Sequence, residues 1–428
     1  MIVAARERAN PRALPTGLAA LCAGLVALGA IAFFGGLATD PATAWRAFHV
    51  NYLYFGALAQ AGVVLACAFV IVGAKWPGPV RRIAEALGAW VPVTFVLACV
   101  DLLGRHHIYP WIEHPVPGKQ AWLNVPRLAI VDLAILGALA WLTLAFLRAS
   151  VRPALHGAAE RAPYGFARRL FERWTADWQG EAAERERSAR VTGRLAPILC
   201  LAYAFGFTFL AFDQVMSLEP TWHSTLFGVY FAWGGWLSAV ATTTVLSVLH
   251  RRSPGLEGQL DAPRFHDLGK MVFAFSIFWM YLFWSQYLVI WYGNLPEETQ
   301  FIEARLGPQF LQDTWDFVWD RLNAPYSKLT LTVWACCWII PFWTLLGQRP
   351  KRTGGFLATI ACIVAFGFWL ERNVLVWPSL EPGASWSWLG PVQIGIALGF
   401  LGAFALVFLL YTRVFPTLAV PDPASLTG

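Results

Sequence analysis

The sequence predicts an all-α, polytopic membrane protein with ten transmembrane helices. Its composition points to this class. Hydrophobic residues make up 57% of the 428 residues, charged residues only 14%, and the mean hydropathy is +0.52. Ordinary globular chains carry about 25% charged residues, and a soluble protein of this size could not bury so much apolar surface. The composition therefore excludes a soluble protein and a disordered chain.

Ten apolar runs are long enough to form membrane-spanning helices, which need about 20 residues to cross about 30 Å of hydrocarbon. The runs are uninterrupted, whereas strands of a membrane barrel alternate apolar and polar residues. The first run follows three arginines without a clear cleavage site, so we expect a retained helix and not a signal peptide. The predicted spans are 14–37, 49–73, 83–103, 125–147, 194–216, 222–249, 267–292, 327–347, 355–377 and 390–414.

The lysines and arginines predict the orientation. With a cytoplasmic amino terminus, 23 of the 32 basic residues lie in inner segments and five lie in outer loops. This is the distribution that the positive-inside rule requires, so we expect both termini to be cytoplasmic. The chain would then form a single membrane domain.

Two connecting segments of that domain are long. The inner loop over 148–193 is rich in arginine and carries Phe166, Leu170 and Trp174 at helical spacing. This pattern predicts an amphipathic helix on the cytoplasmic leaflet or, with equal weight, a solvated charged helix. The outer, periplasmic loop over 293–326 is acidic. It would face a basic or redox partner, or simply solvent.

The histidines, cysteines and motifs exclude several kinds of cofactor. None of the eight histidines lies in the middle of a predicted span, so a convincing pair of axial ligands for a transmembrane haem is missing. The seven cysteines form no CxxC or CxxCH motif and no zinc-binding spacing. Walker and Rossmann motifs are also absent. We expect no cofactor and no metal in this chain, and no nucleic-acid partner.

Ionisable residues within the spans and at their ends are the candidate functional residues, because a charge in the bilayer costs about 2.5–3.5 kcal/mol or more. The alternative is that each is a helix cap, a snorkelling end or a satisfied ion pair. The outer group is Asp101, Asp132, Asp213, Glu219, His223, Lys328, Glu371 and Arg372, and the inner group is Glu85, His250, His266, Asp267 and Lys270. Only neutral polar residues, such as Gln60 and Tyr203, lie between them.

Span seven carries the clearest polar pattern. Asp267, Lys270, Tyr281 and Ser285 fall near one helical face, which predicts a proton path whose middle is Tyr281 and Ser285.

The ninth span carries two neighbouring charges, Glu371 and Arg372. Neighbouring residues of a helix point about 100° apart. We therefore expect Glu371 and Arg372 to pair with other helices and not with each other. Since arginine does not release its proton, Arg372 would be a structural clamp.

Three stretches carry a family resemblance: DQVMSLEPTWHSTLFGVYF from Asp213, HDLGKMVFAFSIFWMYLFWSQYLVIWYGNLPEET from His266, and WLERNVLVWPSL from Trp369. Together with LGRHHIYPW and IPFWTLLGQRPK, they resemble the F subunit of bacterial alternative complex III (ActF), a relative of the NrfD and polysulfide-reductase membrane subunits. Two positions depart from that pattern. Gln214 stands where the family has Trp, which affects only local packing, and Glu371 stands where it has Asp.

The resemblance implies a cofactor-free subunit of a quinol:cytochrome c oxidoreductase complex in the bacterial inner membrane, with a proton-translocation path. It implies two four-helix bundles, spans 2–5 and 6–9, with flanking helices. Haem c and iron–sulfur clusters would lie on partner subunits: an NrfD-like quinol-binding subunit, an iron–sulfur subunit and c-type cytochrome subunits. Lipids and a terminal oxidase are further partners that it allows. The matching ionisable residues are Asp213, Glu219, His223, His266, Asp267, Lys270 and Glu371.

Three alternatives stay open. The chain would be a quinol-binding NrfD-like subunit if Asp101, His106 and His107 formed a site that accepts protons from quinol. It would be a secondary transporter if it had paired helices broken near mid-membrane, a pattern that the sequence does not show. It would be a structural anchor if every acid were held in a satisfied ion pair.

Overall fold

The computed structural model describes residues 15–156, 164–253, 256–311, 324–383 and 387–415, and every regular element within these ranges is helical. The helices are α1 (Thr16–Thr39), α2 (Pro41–Ile71), α3 (Pro79–Ile108, with 3₁₀ turns inside it), α4 (Val125–Leu155), α5 (Gly165–Trp174), α6 (Glu181–Gln214), α7 (Phe227–His250), α8 (Ala262–Gly293), α9 (Pro296–Leu306), α10 (Ser327–Trp334, Ala335–Ile339 and Ile340–Thr344 in succession), α11 (Gln348–Arg352), α12 (Gly354–Leu380) and α13 (Pro391–Val414).

Within the described ranges, nine helices are long and apolar enough to cross a membrane: α1, α2, α3, α4, α6, α7, α8, α12 and α13. The predicted eighth span is α10, in which a π-helical turn, Ala335–Ile339, separates two short α-helices. Pro341 has no N–H to donate to the carbonyl four residues earlier, which favours this irregular hydrogen bonding. Gly367 of α12 has no side chain and lets Cys336 and Cys337 of the π turn pack closely.

Two helices begin well before the predicted spans. α2 begins at Pro41, because Asp40 accepts a hydrogen bond from the backbone N–H of Thr43 (3.2 Å) and proline suits the first helical position. α6 begins at Glu181, thirteen residues before the predicted span. Its first turns are helical but rich in charged residues, which lower the hydropathy of this part of the helix. Hydropathy does not register polar turns of this kind. His49 is therefore the ninth residue of α2 and not the first residue of a span.

The helices pack as two rings. α2, α3, α4 and α6 contact one another in a closed circuit, here called bundle 1, and α7, α8, α10 and α12 form bundle 2 in the same way. α7 joins the two bundles through contacts with α2 and α6. α1 and α13 pack on each other along Gly29 and Gly399 and flank α2. These two groups of four helices correspond to predicted spans 2–5 and 6–9, with α10 in the place of span eight.

The arginine-rich inner loop folds back onto the protein. Phe171 of α5 is buried against the ends of α4 and α13. Its ring centroid lies 5.7 Å from that of Phe415, the residue that follows α13. Arg152 binds Asp177 (2.7 Å), and Arg187 binds the same carboxylate (2.8 Å). These arginines hold the pKa of Asp177 well below its usual range. α5 thus packs Phe171 on protein and leaves Phe166 58% exposed, and its place on the leaflet or in solvent stays a prediction.

Candidate functional site

In the orientation that the basic residues predict, the outer half of bundle 1 contains a buried polar group that all four helices build, here called the first carboxylate cluster (His49, Asp101, Asp132, Asp213 and Gln214). His49 of α2 lies at its centre. Its Nδ1 is 2.8 Å from Asp101 Oδ2 on α3, and its Nε2 is 3.0 Å from the carbonyl oxygen of Gln214 at the end of α6. The His49 side chain is fully buried. A carbonyl oxygen can only accept a hydrogen bond, so Nε2 carries a hydrogen and the ring orientation is fixed, and Nδ1 is the nitrogen that can exchange a proton with Asp101.

Two further carboxyl groups of this cluster are adjacent. The Gln214 side-chain amide donates to Asp132 Oδ2 (2.9 Å), and Arg127 donates to Asp213 Oδ1 (2.5 Å). The carboxyl groups of Asp132 and Asp213 interact directly. One oxygen of each aspartate, and one of Asp101, is buried without a hydrogen-bond partner among the described residues. Three carboxyl groups share one arginine and one histidine, so the cluster becomes neutral only by holding protons.

Gln214 and His49 are the residues that sequence reasoning undervalued. The sequence predicts that Gln214 affects only local packing. Its side-chain amide instead donates a hydrogen bond to Asp132, and its backbone carbonyl accepts one from His49. His49 was counted among the histidines but not among the site residues. The signal was present: Asp40 and Pro41 mark a helix start eight residues before His49.

Polar side chains continue toward the inner end of bundle 1. Gln60 on α2 donates to Thr143 on α4 (3.1 Å) in the middle of both helices. At the inner end, Glu85 of α3 accepts hydrogen bonds from Arg82 (2.8 Å) and Ser150 (2.8 Å), and all three side chains are buried. Asp132, Thr143 and Ser150 follow one another along α4 at separations of about 16 and 10 Å. Bundle 1 therefore holds polar groups at outer, middle and inner depth.

Bundle 2 contains a second carboxylate cluster, formed by Glu371, Arg372 and Tyr230. Arg372 donates to Glu371 Oε2 (2.7 Å) and to the carbonyl of Phe231 on α7 (2.9 Å). Glu371 Oε1 has no hydrogen-bond partner among the described residues, although the Tyr230 hydroxyl lies beside the carboxyl group. The neighbouring acid and base thus pair with each other, contrary to expectation. The arginine side chain is long enough to turn back along the helix while it also clamps α7.

A cavity of about 560 Å³, including the open space at its mouth, lies within bundle 2 beside α9. Glu371 of α12 lines it, as do Phe301 and Arg305 of α9. The walls are aromatic and aliphatic, with Gln286 and Thr330 as further polar groups. The interior is narrow and has room for a few water molecules. Glu371 is thus the acid that borders this cavity.

The remaining outer residues lie apart from both carboxylate clusters. Glu219 accepts a hydrogen bond from Ser379 (3.1 Å) and lies 3.8 Å from Arg305, near the mouth of the cavity. His223 and Lys328 are exposed. His106 and His107 are exposed too, while Asp101 pairs with His49. The three-residue site expected for a quinol-binding subunit is therefore not assembled.

The inner residues of span seven form a small group at the start of α8. Lys270 Nζ is 2.6 Å from Asp267 Oδ1, and His266 Nδ1 is 4.0 Å from the same oxygen. Further along α8, Tyr281 is 60% exposed and Ser285 is half-buried. This face points away from bundle 2, whereas Ser276 points into it. The predicted middle of the path thus lies on the outside of the chain, where protons would need a neighbouring subunit to cover them.

Comparison with known proteins gives no relative: no protein-family model matches the chain, and no curated protein matches it. Among the residues that the structure describes, no group of three or more His, Cys, Asp or Glu side chains could hold a metal ion. Asp313, Asp316 and Asp320 of the acidic loop lie outside the described residues.

Proposed function

We propose that this chain is a cofactor-free integral subunit of a quinol:cytochrome c oxidoreductase complex of the alternative complex III type. It lies in a bacterial inner membrane with ten spans, α10 included, and with both termini in the cytoplasm. Its buried carboxyl groups transfer protons. The three motif stretches support the family. The observation that carries the proton role is the set of buried carboxyl oxygens without hydrogen-bond partners in the outer halves of both bundles.

In bundle 1, Asp132 and Asp213 bind and release protons at the outer end, and His49 exchanges a proton with Asp101 through Nδ1. Gln60 and Thr143 hold the middle of the path, and Glu85 is its inner end. The separations along α4 exceed hydrogen-bond reach, so several water molecules must bridge them. In bundle 2, the cavity connects the outer side to Glu371. His266, Asp267 and Lys270 form an inner entry, which continues along Tyr281 and Ser285 only where another subunit covers them.

The partners supply the electron transfer. An NrfD-like quinol-binding subunit, an iron–sulfur subunit and c-type cytochrome subunits would carry the quinol site, the clusters and the haem c, and a terminal oxidase would follow them. Purification from native membranes tests this assignment. We expect multihaem and iron–sulfur subunits to copurify with the chain, whereas isolation as a lone, colourless protein would contradict the proposal.

The proton role is tested by the number of protons moved per electron in the reconstituted complex. Asp132→Asn keeps the shape of the side chain but cannot carry a proton, so we expect a lower stoichiometry at normal electron transfer. Asp267→Asn tests the inner entry in the same assay. Glu297→Gln, on the exposed first turn of α9, is the matched control. Wild-type stoichiometry in both aspartate variants would show instead that the chain is a structural anchor.

A second function is favoured by one observation, the carboxyl group of Glu371 beside Tyr230 at the end of an aromatic cavity. Quinone rings stack on aromatic side chains, and a carboxylate can accept the proton of a quinol. Photo-crosslinking with an azidoquinone separates the two functions. Labelling of α7, α8 or α12 that excess quinol prevents would favour a quinol-binding subunit. Labelling confined to a partner subunit favours the proton-transfer role.

A further inference from the structure

The inner end of bundle 2 carries a group of positive charges, here called the inner cationic groove (His266, Lys270, Lys351 and Arg352). Lys351 of α11 is only 7% exposed. Its side chain packs on Gly269 of α8, where any Cβ would lie 2.8 Å from Lys351 Cγ. Its Nζ is 5.1 Å from the centroid of the Phe273 ring. The Lys351 side chain is thus packed against α8 and does not extend freely into solvent.

The positive charges of this groove exceed the negative charges around it. Asp267 is paired with Lys270 (2.6 Å), and Lys351 and Arg352 form no ion pair within the described residues. All three cations act electrostatically on His266. Burial and the neighbouring Lys270 lower the pKa of Lys351. A largely buried cation without an acidic partner raises the free energy of the folded chain, and an anion bound here would lower it.

An exposed aromatic surface adjoins the groove on the side of α10. The rings of Phe273 and Phe342 stack with centroids 5.6 Å apart. Trp343 is 69% exposed and Leu346 is 57% exposed. Trp343 and Leu346 lie directly before α11 in the chain, so this surface is continuous with the helix that carries Lys351. The cationic and apolar parts together match an amphiphilic anion.

We propose that the inner cationic groove binds one anionic phospholipid. Its phosphate lies among Lys351, Lys270 and Arg352, and an acyl chain lies along Phe342 and Trp343. A soluble phosphate would satisfy the charges but would leave the aromatic surface without a ligand. This inference goes beyond the proposed proton transfer and does not depend on it.

Native mass spectrometry of the full-length chain, in the complex with which it purifies, tests this site. The probes are phosphatidylglycerol, phosphatidylcholine and glycerol 3-phosphate at equal concentrations. We expect phosphatidylglycerol to be retained over both other probes. Lys351→Gln should weaken its retention about fivefold, since a basic residue near an anionic membrane surface contributes about 1 kcal/mol. Adding Arg352→Gln should weaken it further.

Two control variants make the result specific. Lys351→Arg keeps the charge and should keep retention near the wild-type level. Arg169→Gln removes an exposed charge on α5 and should also have no effect. Wild-type retention in Lys351→Gln would overturn the site, and equal retention of phosphatidylcholine would overturn the charge argument. Glycerol 3-phosphate binding as tightly as the lipid, or carbodiimide crosslinking of Lys351 to a partner protein, would overturn the assignment to a lipid.

Discussion

At the scale of single residues, the most informative feature is a histidine that joins three helices. His49 contacts Asp101 on one side and the backbone of Gln214 on the other, and none of these groups is open to solvent. Removing one member of a buried pair leaves the other without a partner, which costs more than the pair itself contributes. His49 and Asp101 should therefore depend on each other for stability.

A double-mutant cycle measures that dependence. His49→Ala and Asp101→Ala should each lower the free energy of unfolding by about 1–3 kcal/mol, because each leaves a buried polar group unpaired. Once the first partner is lost, the second change should cost less, giving a coupling energy of about 0.5–3 kcal/mol. Thermal unfolding in detergent gives the values. Strict additivity of the two losses would contradict direct pairing.

At the scale of secondary structure, α9 depends on one arginine for its position. Arg305 donates to the carbonyl of Phe301 (2.9 Å), to that of Leu375 on α12 (3.0 Å) and to the Ser379 hydroxyl (2.7 Å). Phe301 in turn stacks on Trp222, with ring centroids 3.6 Å apart. These contacts hold α9 against the cavity that Glu371 also lines.

Arg305→Gln should loosen α9 without unfolding the bundles. It removes the hydrogen bonds to α12, so we expect the local stability of residues 296–306 to fall by about 1–3 kcal/mol. Hydrogen exchange followed by mass spectrometry would show this as faster exchange in the α9 peptides alone. Lys328→Gln, an exposed change at the start of α10, is the control and should leave exchange unchanged. Unchanged α9 exchange in Arg305→Gln would show that aromatic stacking alone holds the helix.

At the scale of the whole molecule, the open point of the topology is α10. Nine of the described helices qualify as spans by length and composition, and α10 does not, because its π turn divides it. Nevertheless, α10 packs between α8 and α12 and completes bundle 2. Its 18 residues would extend over about 27 Å at the rise of an α-helix, close to the thickness of the hydrocarbon core.

Cysteine accessibility in intact cells tests whether α10 crosses the membrane. Glu297→Cys and Gln348→Cys flank α10, and both positions are exposed. The background has Cys99 and Cys362 replaced by alanine, since these are the exposed native cysteines. With ten spans, a membrane-impermeant maleimide should label position 297 from outside and position 348 only after lysis. Labelling of both from outside would mean that α10 does not cross.

The sequence was informative where its signal is local. Apolar runs of about 20 residues located nine of the spans, because hydropathy is a property of a continuous segment. Asp101, Asp132, Asp213 and Glu371, which the cost of a charge within a span singles out, are buried. His223 and Lys328, which the same argument singles out, are exposed. Helix starts were less accurate, as α2 and α6 show, because polar first turns do not raise hydropathy.

What the sequence by itself determined is the class of the protein, most of its long apolar helices and the position of its ionisable residues along them. The tertiary structure decided which of those residues meet. It placed Asp132 against Asp213, His49 against Asp101, and Glu371 against its own neighbour Arg372, and it left Tyr281 on the outside. The reason is geometric. Depth follows from position along one helix, whereas a contact depends on the rotation and packing of several helices, which no single stretch of sequence specifies.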